Sequence, residues 1–363
     1  MSVSSPVTGG ETAIVEQGSL SESPAQSGNG NAANLAYDLD PTVAARASRR
    51  PFQSSKLPLG VKDRLLFWLM LGTLHALSLL PDAILYPLGA AGGYIGYLLD
   101  RRHLRIGLKN LEIAFPERSP DERGQILRAS YVNLGRAGAE YIRLGGFFWR
   151  RLKGRVIYRG WDNLASARRR NPGRGAIVLT AHFGNFELLA PAHAMHGHQV
   201  SLVHHTQRFM AGDAVMTWVR ERAGVEQIRK HSAARAVLRA LRADDIIGIP
   251  FDQNAKRSEA IWVPFFGEPA ATISGLARIT MLAGAPVVPA FIVRQPGGRN
   301  HAIEIFPEIE QQRTSDREAD ITENTARFVH AIEEIVRKYP EQFLWTHRRF
   351  RTRPRGVPPV YDA

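Results

Sequence analysis

Two side chains in this sequence could carry out proton-transfer chemistry: His182 and Glu187, in the segment His182-Phe183-Gly184-Asn185-Phe186-Glu187. An imidazole titrates near neutrality and can serve as a general base. A carboxylate beside it can fix the tautomer and balance the imidazolium formed on proton transfer. Five residues of regular helix would turn the two side chains roughly 140° apart. Pairing therefore requires a turn at Gly184 that folds His182 back over the start of the following helix. Asn185 can cap that helix, with Glu187 in its first turn. With 12 His and 34 acids in the chain, about one His-x4-acid match arises by chance, so the spacing alone is weak. Position says more, because Gly175–Ala181 reads as a buried strand and His182 stands just past its end. Ligands gather outside the carboxyl ends of strands in open α/β sheets. The plainer reading is a buried, structural His–Glu pair.

Other apolar runs end in polar or aromatic groups. Ile246–Pro250 leads into Phe251-Asp252-Gln253-Asn254, where Asp252 and Gln253 can hold substrate hydroxyls, orient the catalytic pair, or simply cap a loop. Val263-Pro264-Phe265-Phe266-Gly267 reads as an apolar loop whose Phe265 and Phe266 suit either an acyl-chain groove or a core. Arg220, near a helix end, can bind phosphate or a thioester oxygen, or belong to a solvated helix face. The five histidines at 193, 196, 198, 204 and 205 match no metal-site spacing and have no acid among them, so they read as structural or surface residues. Gly-x-Ser-x-Gly, Gly-x4-Gly-Lys-Ser/Thr, Gly-x-Gly-x-x-Gly and His-Glu-x-x-His are all absent from the sequence.

The elements that must position these groups follow from the apolar pattern. Short branched runs at Ala176–Ala181, Val200–His204, Ile246–Pro250, Pro286–Val293 and Ala302–Phe306 alternate with helical stretches, which predicts an α/β sheet covered on both faces. Ser119-Pro120-Asp121-Glu122 opens a helix expected to reach about Leu144. Ile321–Tyr339 reads as an amphipathic helix, and Arg348–Arg355 as a basic tail. Residues 1–55 read as a disordered leader that lacks the form of a secretory signal. Residues 56–115 form a hydrophobic helical segment, 116–355 the α/β domain, and 356–363 a short tail. Within the hydrophobic segment, Leu65–Leu80 and Ala83–Leu99 carry no charge, yet each is shorter than the ~20 residues that span a bilayer. Basic flanks on both sides favour a shallow hairpin or interfacial helices. Gly89-x3-Gly93 and Gly92-x3-Gly96 would let those helices approach closely. Two buried core helices are the alternative.

Net charge is +13 with 47 Lys and Arg, whereas residues 1–45 hold five acids and no base. A basic body seeks anionic partners. The absence of cysteine excludes disulfides, thiolate metal sites and a cysteine nucleophile.

Taken together, the motifs resemble the late acyltransferases of lipid A biosynthesis, within the lysophospholipid acyltransferase group. The resemblance covers roughly residues 60–355. It rests on Asn110-Leu111 with Phe115-Pro116, Thr180–Glu187, Arg220–Gly224, Asp252–Asn254, Val263–Gly267, Gly284–Pro289, Pro340–Trp345 and His347–Phe350. It implies a central mixed sheet flanked by helices, with a membrane-associating segment before it. It also implies transfer of a fatty acyl group from acyl carrier protein or acyl-CoA to a hydroxyl of a membrane glycolipid, most simply a lipid A precursor. Such an enzyme works at the cytoplasmic face of the bacterial inner membrane, with no cofactor, metal or nucleic-acid partner. By similarity His182 and Glu187 are catalytic, with Arg220 and Asp252 as supports; Asn185, Gln253, Phe265 and Phe266 complete the expected substrate contacts. Two positions depart from the pattern: His204-His205 replaces an Arg-Pro common in relatives, and Asn254 an acid. Both bear on acceptor recognition. Another acceptor lipid, such as an ornithine lipid or phospholipid, and a non-catalytic basic membrane-binding protein are the alternative functions.

Overall fold

The computed structural model describes residues 59–229 and 233–361; the expected leader lies outside them. Seven strands form the central sheet: β1 (Val156–Arg159), β2 (Ala176–Thr180), β3 (Val200–His204), β4 (Glu226–Arg229), β5 (Ile246–Pro250), β8 (Val287–Arg294) and β9 (His301–Ile305). Their order is β1-β9-β8-β2-β5-β3-β4. Every pairing is parallel except β8 with β9, so the sheet is mixed. The five expected strands are all present, displaced by a residue at some ends. The strands at 156–159 and 226–229 are too short and too polar to stand out in sequence. A separate antiparallel hairpin, β6 (Ala260–Phe265) and β7 (Glu268–Ile273), also went unread. It takes in the segment expected as an apolar loop: Phe266 and Gly267 both have positive φ (52° and 80°) and form its two-residue turn.

Helices cover both faces. In β2 the side chains alternate: Ile177 and Leu179 join a core containing Phe291, Phe328 and Val336, while Ala176 and Val178 join one containing Leu188, Val219 and Ile292. That two-sided burial explains why the strand reads as an uninterrupted apolar run. The first core is built on α8 (Ala233–Arg242), α9 (Gly275–Ala283) and α10 (Arg317–Lys338), the last spanning the expected amphipathic helix. The second involves α5 (Trp161–Arg170), α6 (Phe186–Met195) and α7 (Met210–Arg222).

Four helices precede the sheet: α1 (Val61–Leu77), α2 (Asp82–Leu99), α3 (Arg101–Ala114) and α4 (Pro120–Gly145). α4 starts as expected, with a capping box in which Glu122 N donates to Ser119 Oγ and Glu122 Oε2 accepts from Ser119 N. The glycines of α2 serve a different contact from the one expected. A Cβ on Gly89 or Gly93 would run into the backbone oxygen of Gly135 or Tyr131 in α4, whereas Gly92 faces open space. The close approach is therefore between α2 and α4, not between the two apolar helices. α1 packs Leu74 against the end of α4 and against α7, and Leu71 and Leu74 are its buried residues. Leu65 and Leu69 on α1 stay 67% and 65% exposed, and Leu88, Ile95 and Leu98 on α2 are also exposed. Among the described residues no helix is long and apolar enough to cross a membrane.

The basic segment near the end is not a free tail. Arg349 and Phe350 are buried. Arg349 donates to Ala271 O (2.8 Å) and Thr272 Oγ1 (2.6 Å), and Thr352 pairs with Asn254. The charged run folds back over the β5 end, where Arg349 Nη1 and Nη2 meet backbone and hydroxyl acceptors while its buried Nε has none.

Candidate active site

Strand register assembles the site. β2 and β5 are adjacent and parallel, with Thr180 opposite Pro250. Two residues further along each strand stand His182 and Asp252. Asp252 Oδ1 accepts from the His182 backbone N–H (3.1 Å) and lies 2.9 Å from Nδ1, with Oδ2 at 3.2 Å. A carboxylate can only accept, so Nδ1 carries the proton and Nε2 keeps the lone pair that a base needs. That lone pair accepts from the side-chain N–H of Gln253 at 3.3 Å, a residue exposed to solvent.

Burial pushes the His182 pKa down, but the charge and hydrogen bond of Asp252, with help from Glu187, outweigh it and hold the ring above the ordinary histidine value. Burial likewise raises Asp252, and the His182 contacts more than offset this, keeping the carboxyl below the usual range.

The expected direct pairing of His182 with Glu187 is corrected. His182 does fold over the helix start, its ring edge-to-face with Phe186 at 4.8 Å, yet its Nδ1 points to β5. Glu187, in the first turn of α6, is gripped by Arg220 instead: Nε to Oε2 at 3.0 Å, and Nη2 to Oε1 and Oε2 at 2.6 and 2.8 Å. It reaches His182 through its charge alone. Arg220 is buried, so the solvated-face reading fails for it. Asp252, read from sequence as able to hold a substrate hydroxyl, orient the pair or cap a loop, contacts His182 directly.

The turn itself is over-determined. Gly184 has φ 58°, and a Cβ there would collide with Ile292 O. Its N–H donates to Gln342 O (2.8 Å), while Leu344 N–H donates to His182 O (3.0 Å). Gln342 in turn brackets the Arg294 backbone through both ends of its amide. Asn185 occupies the cap position of α6, but its side chain does not cap. It is buried and donates to Glu140 Oε2 at 2.6 Å. Glu140 also takes two nitrogens of Arg294 (2.5 and 2.9 Å) and His301 Nε2 (2.9 Å). Burial would raise its carboxyl, but His301 and Arg294 together hold it low. This network lies beneath the turn and was missed from sequence, because Glu140, Arg294 and His301 sit in ordinary helix and strand patterns.

Phe265 and Phe266 line no open groove among the described residues. Both are buried against Phe343, Trp345 and Phe350. The cavity they border, which touches Asp252 and His347, has about 10 Å³ of free space, room for roughly one water.

Placed in this geometry, the family is plain. The model for bacterial lipid A biosynthesis acyltransferases matches residues 55–352, and the chain belongs to that family and is an acyltransferase. A lipid A biosynthesis palmitoleoyltransferase of Escherichia coli (strain K12) is 30% identical over 307 residues, covering 82% of this chain and 94% of that protein. The lauroyltransferase of the same organism is 27% identical over 300 residues, again 82% and 94%. A lipid A biosynthesis acyltransferase of Haemophilus influenzae (strain ATCC 51907 / DSM 11121 / KW20 / Rd) is 27% identical over 305 residues.

Proposed function

We propose that this enzyme transfers a fatty acyl group from a thioester of acyl carrier protein or coenzyme A to a hydroxyl of a lipid A precursor, with His182 as general base. The observation that carries this is the His182–Asp252 contact at 2.9 Å, which leaves Nε2 as the lone pair facing outward. Nε2 removes the acceptor hydroxyl proton as the oxygen attacks the thioester carbonyl carbon. The tetrahedral intermediate then expels the thiolate, which takes the proton from the imidazolium. An ester and a free thiol result, without an acyl-enzyme. Asp252 stabilises the imidazolium and fixes the tautomer. Glu187 adds negative charge beside the ring, and Arg220, whose Nε and Nη2 bind Glu187, is the group proposed to donate to the developing oxyanion. One such donor is worth roughly 3–4 kcal/mol in other enzymes.

The names of the relatives support a lipid A acceptor, and the exposed apolar faces of α1 and α2 support work at a membrane surface; the surface proposed is the cytoplasmic face of the inner membrane. Purified His182→Ala, given an acyl thioester and the acceptor, is expected to lose transfer while keeping its melting temperature. Near-normal turnover would refute the mechanism. Mass spectrometry of lipids from a deletion strain tests the acceptor: the expected result is lipid A lacking one secondary acyl chain, and an unchanged lipid A with a missing ornithine lipid or phospholipid species points to the other acceptors.

A further inference from the structure

The stretch that joins α4 to β1 holds a feature that the acyl-transfer chemistry does not use. From Tyr141 to Arg159 the sequence contains six Arg or Lys and no acid. Arg143 and Arg155 are held by Asp82, and Arg159 by Glu304. In the middle, Phe147 and Phe148 stand 56% and 41% exposed, followed by exposed Arg150 and Arg151. Arg151 lies over the Phe148 ring (4.5 Å) and Arg150 over Trp149 (5.3 Å).

The two phenylalanines are not loosely hung. A Cβ on Gly146 would collide with Ser78, and one on Gly145 would meet Leu74 at 2.7 Å. Phe147 packs edge-to-face on His75 at 4.9 Å. The segment is thus rooted on the last turn of α1, whose other face is apolar and exposed. Exposed aromatic rings with guanidinium groups alongside suit the boundary of an anionic bilayer, where rings settle at headgroup depth and the cations meet lipid phosphates.

We propose that Phe147 and Phe148, flanked by Arg150 and Arg151, form an interfacial wedge that inserts into anionic lipid beside α1. This deepens the membrane reading of α1 and α2 given above and rests on it. The wedge would fix the tilt of the body on the surface, because it adds a point of contact outside the two apolar helices. Its chemistry selects a lipid surface with negative headgroups.

The chain has no cysteine, so Phe148→Cys in the full-length protein takes a single polarity-sensitive fluorophore without background. Glu323→Cys, on the exposed side of α10, is the aqueous control. On vesicles of phosphatidylethanolamine with a third phosphatidylglycerol, the label at 148 is expected to shift to the blue and to be quenched by bromolipids, while the label at 323 does neither. Vesicle binding without these changes at 148 overturns the wedge and leaves the general membrane reading intact; no binding by any form defeats both. As a second arm, Arg150→Glu/Arg151→Glu is expected to weaken binding to the anionic vesicles at least tenfold and to leave neutral vesicles unaffected. Binding to the anionic vesicles by that variant as tight as that of the unmodified protein argues against a role for the cations. Because transfer to detergent-dispersed acceptor depends on His182, not on the wedge, retained activity there separates failure of this inference from failure of the catalytic one.

Discussion

His182 is held by a residue 70 positions downstream, and the pH dependence expected of it as the proposed base follows from that contact. A base must be deprotonated, so activity is expected to fall as pH drops through the His182 pKa, which lies above the ordinary histidine value because Asp252 outweighs the effect of burial. Asp252→Asn removes that support. The acid limb of kcat/KM should then move to lower pH, and the plateau should drop by roughly 10²–10⁴-fold through loss of the correct tautomer; a pH–rate profile reads both. Glu187→Gln acts differently. It strands the buried Arg220 charge, so a loss of about 3–5 kcal/mol in urea unfolding is expected, together with slower turnover. Adding Arg220→Met should recover stability without recovering activity. His182 and Glu187 were legible because they share one short segment. The Asp252 contact was not, since it depends on which strand neighbours β2, and no local pattern encodes strand order.

The turn from β2 into α6 is where one atom decides the outcome. Gly184 sits at φ 58° against Ile292 O, so Gly184→Ala carries both left-handed strain, about 1–2 kcal/mol, and a steric collision. Lower stability in urea and a larger drop in kcat than in KM are expected, because His182 shifts while the binding surface stays. Glu140→Gln keeps the shape but removes the charge shared by Arg294 and His301. It should destabilise the fold and, through Asn185, slow the reaction; kcat restored by Glu140→Asp would favour positioning over bulk stability. The need for a glycine turn was readable from the His-to-Glu spacing. The direction of the ring within that turn was not, because it is set by Asp252 past the neighbouring strand, while Gln342 and Leu344 from the far end of the domain hold the turn's backbone. Likewise the small-residue spacing of α2 announced a close helix contact, yet the partner, α4, lies outside the apolar segment and carries its own glycine at 135.

Across the whole molecule, charge and buried histidine set the response to solution conditions. His193 is buried against the Tyr158 hydroxyl (3.0 Å), and burial pushes its pKa down to about 3; His198, stacked on Trp161, falls to about 4. The unfolded chain binds these protons near pH 6.5 and the folded one does not, so stability falls as pH drops from about 6.5 toward 4. His193→Gln is expected to flatten that slope in urea titrations at stepped pH, whatever its effect at neutrality. The α/β class and five of the seven sheet strands were legible because burial on both faces writes long apolar runs. The edge strands β1 and β4 were hidden by their polarity.

The short antiparallel contact between Phe183 and Phe343 has a temporal meaning as well. A ribosome that has made His182, Asp252 and every sheet strand has still not supplied the backbone groups that pin the imidazole's turn. The nascent chain is therefore expected to gain transfer activity only once its distal segment docks, and a truncation ending before Gln342 that still turned over an acyl thioester would contradict this.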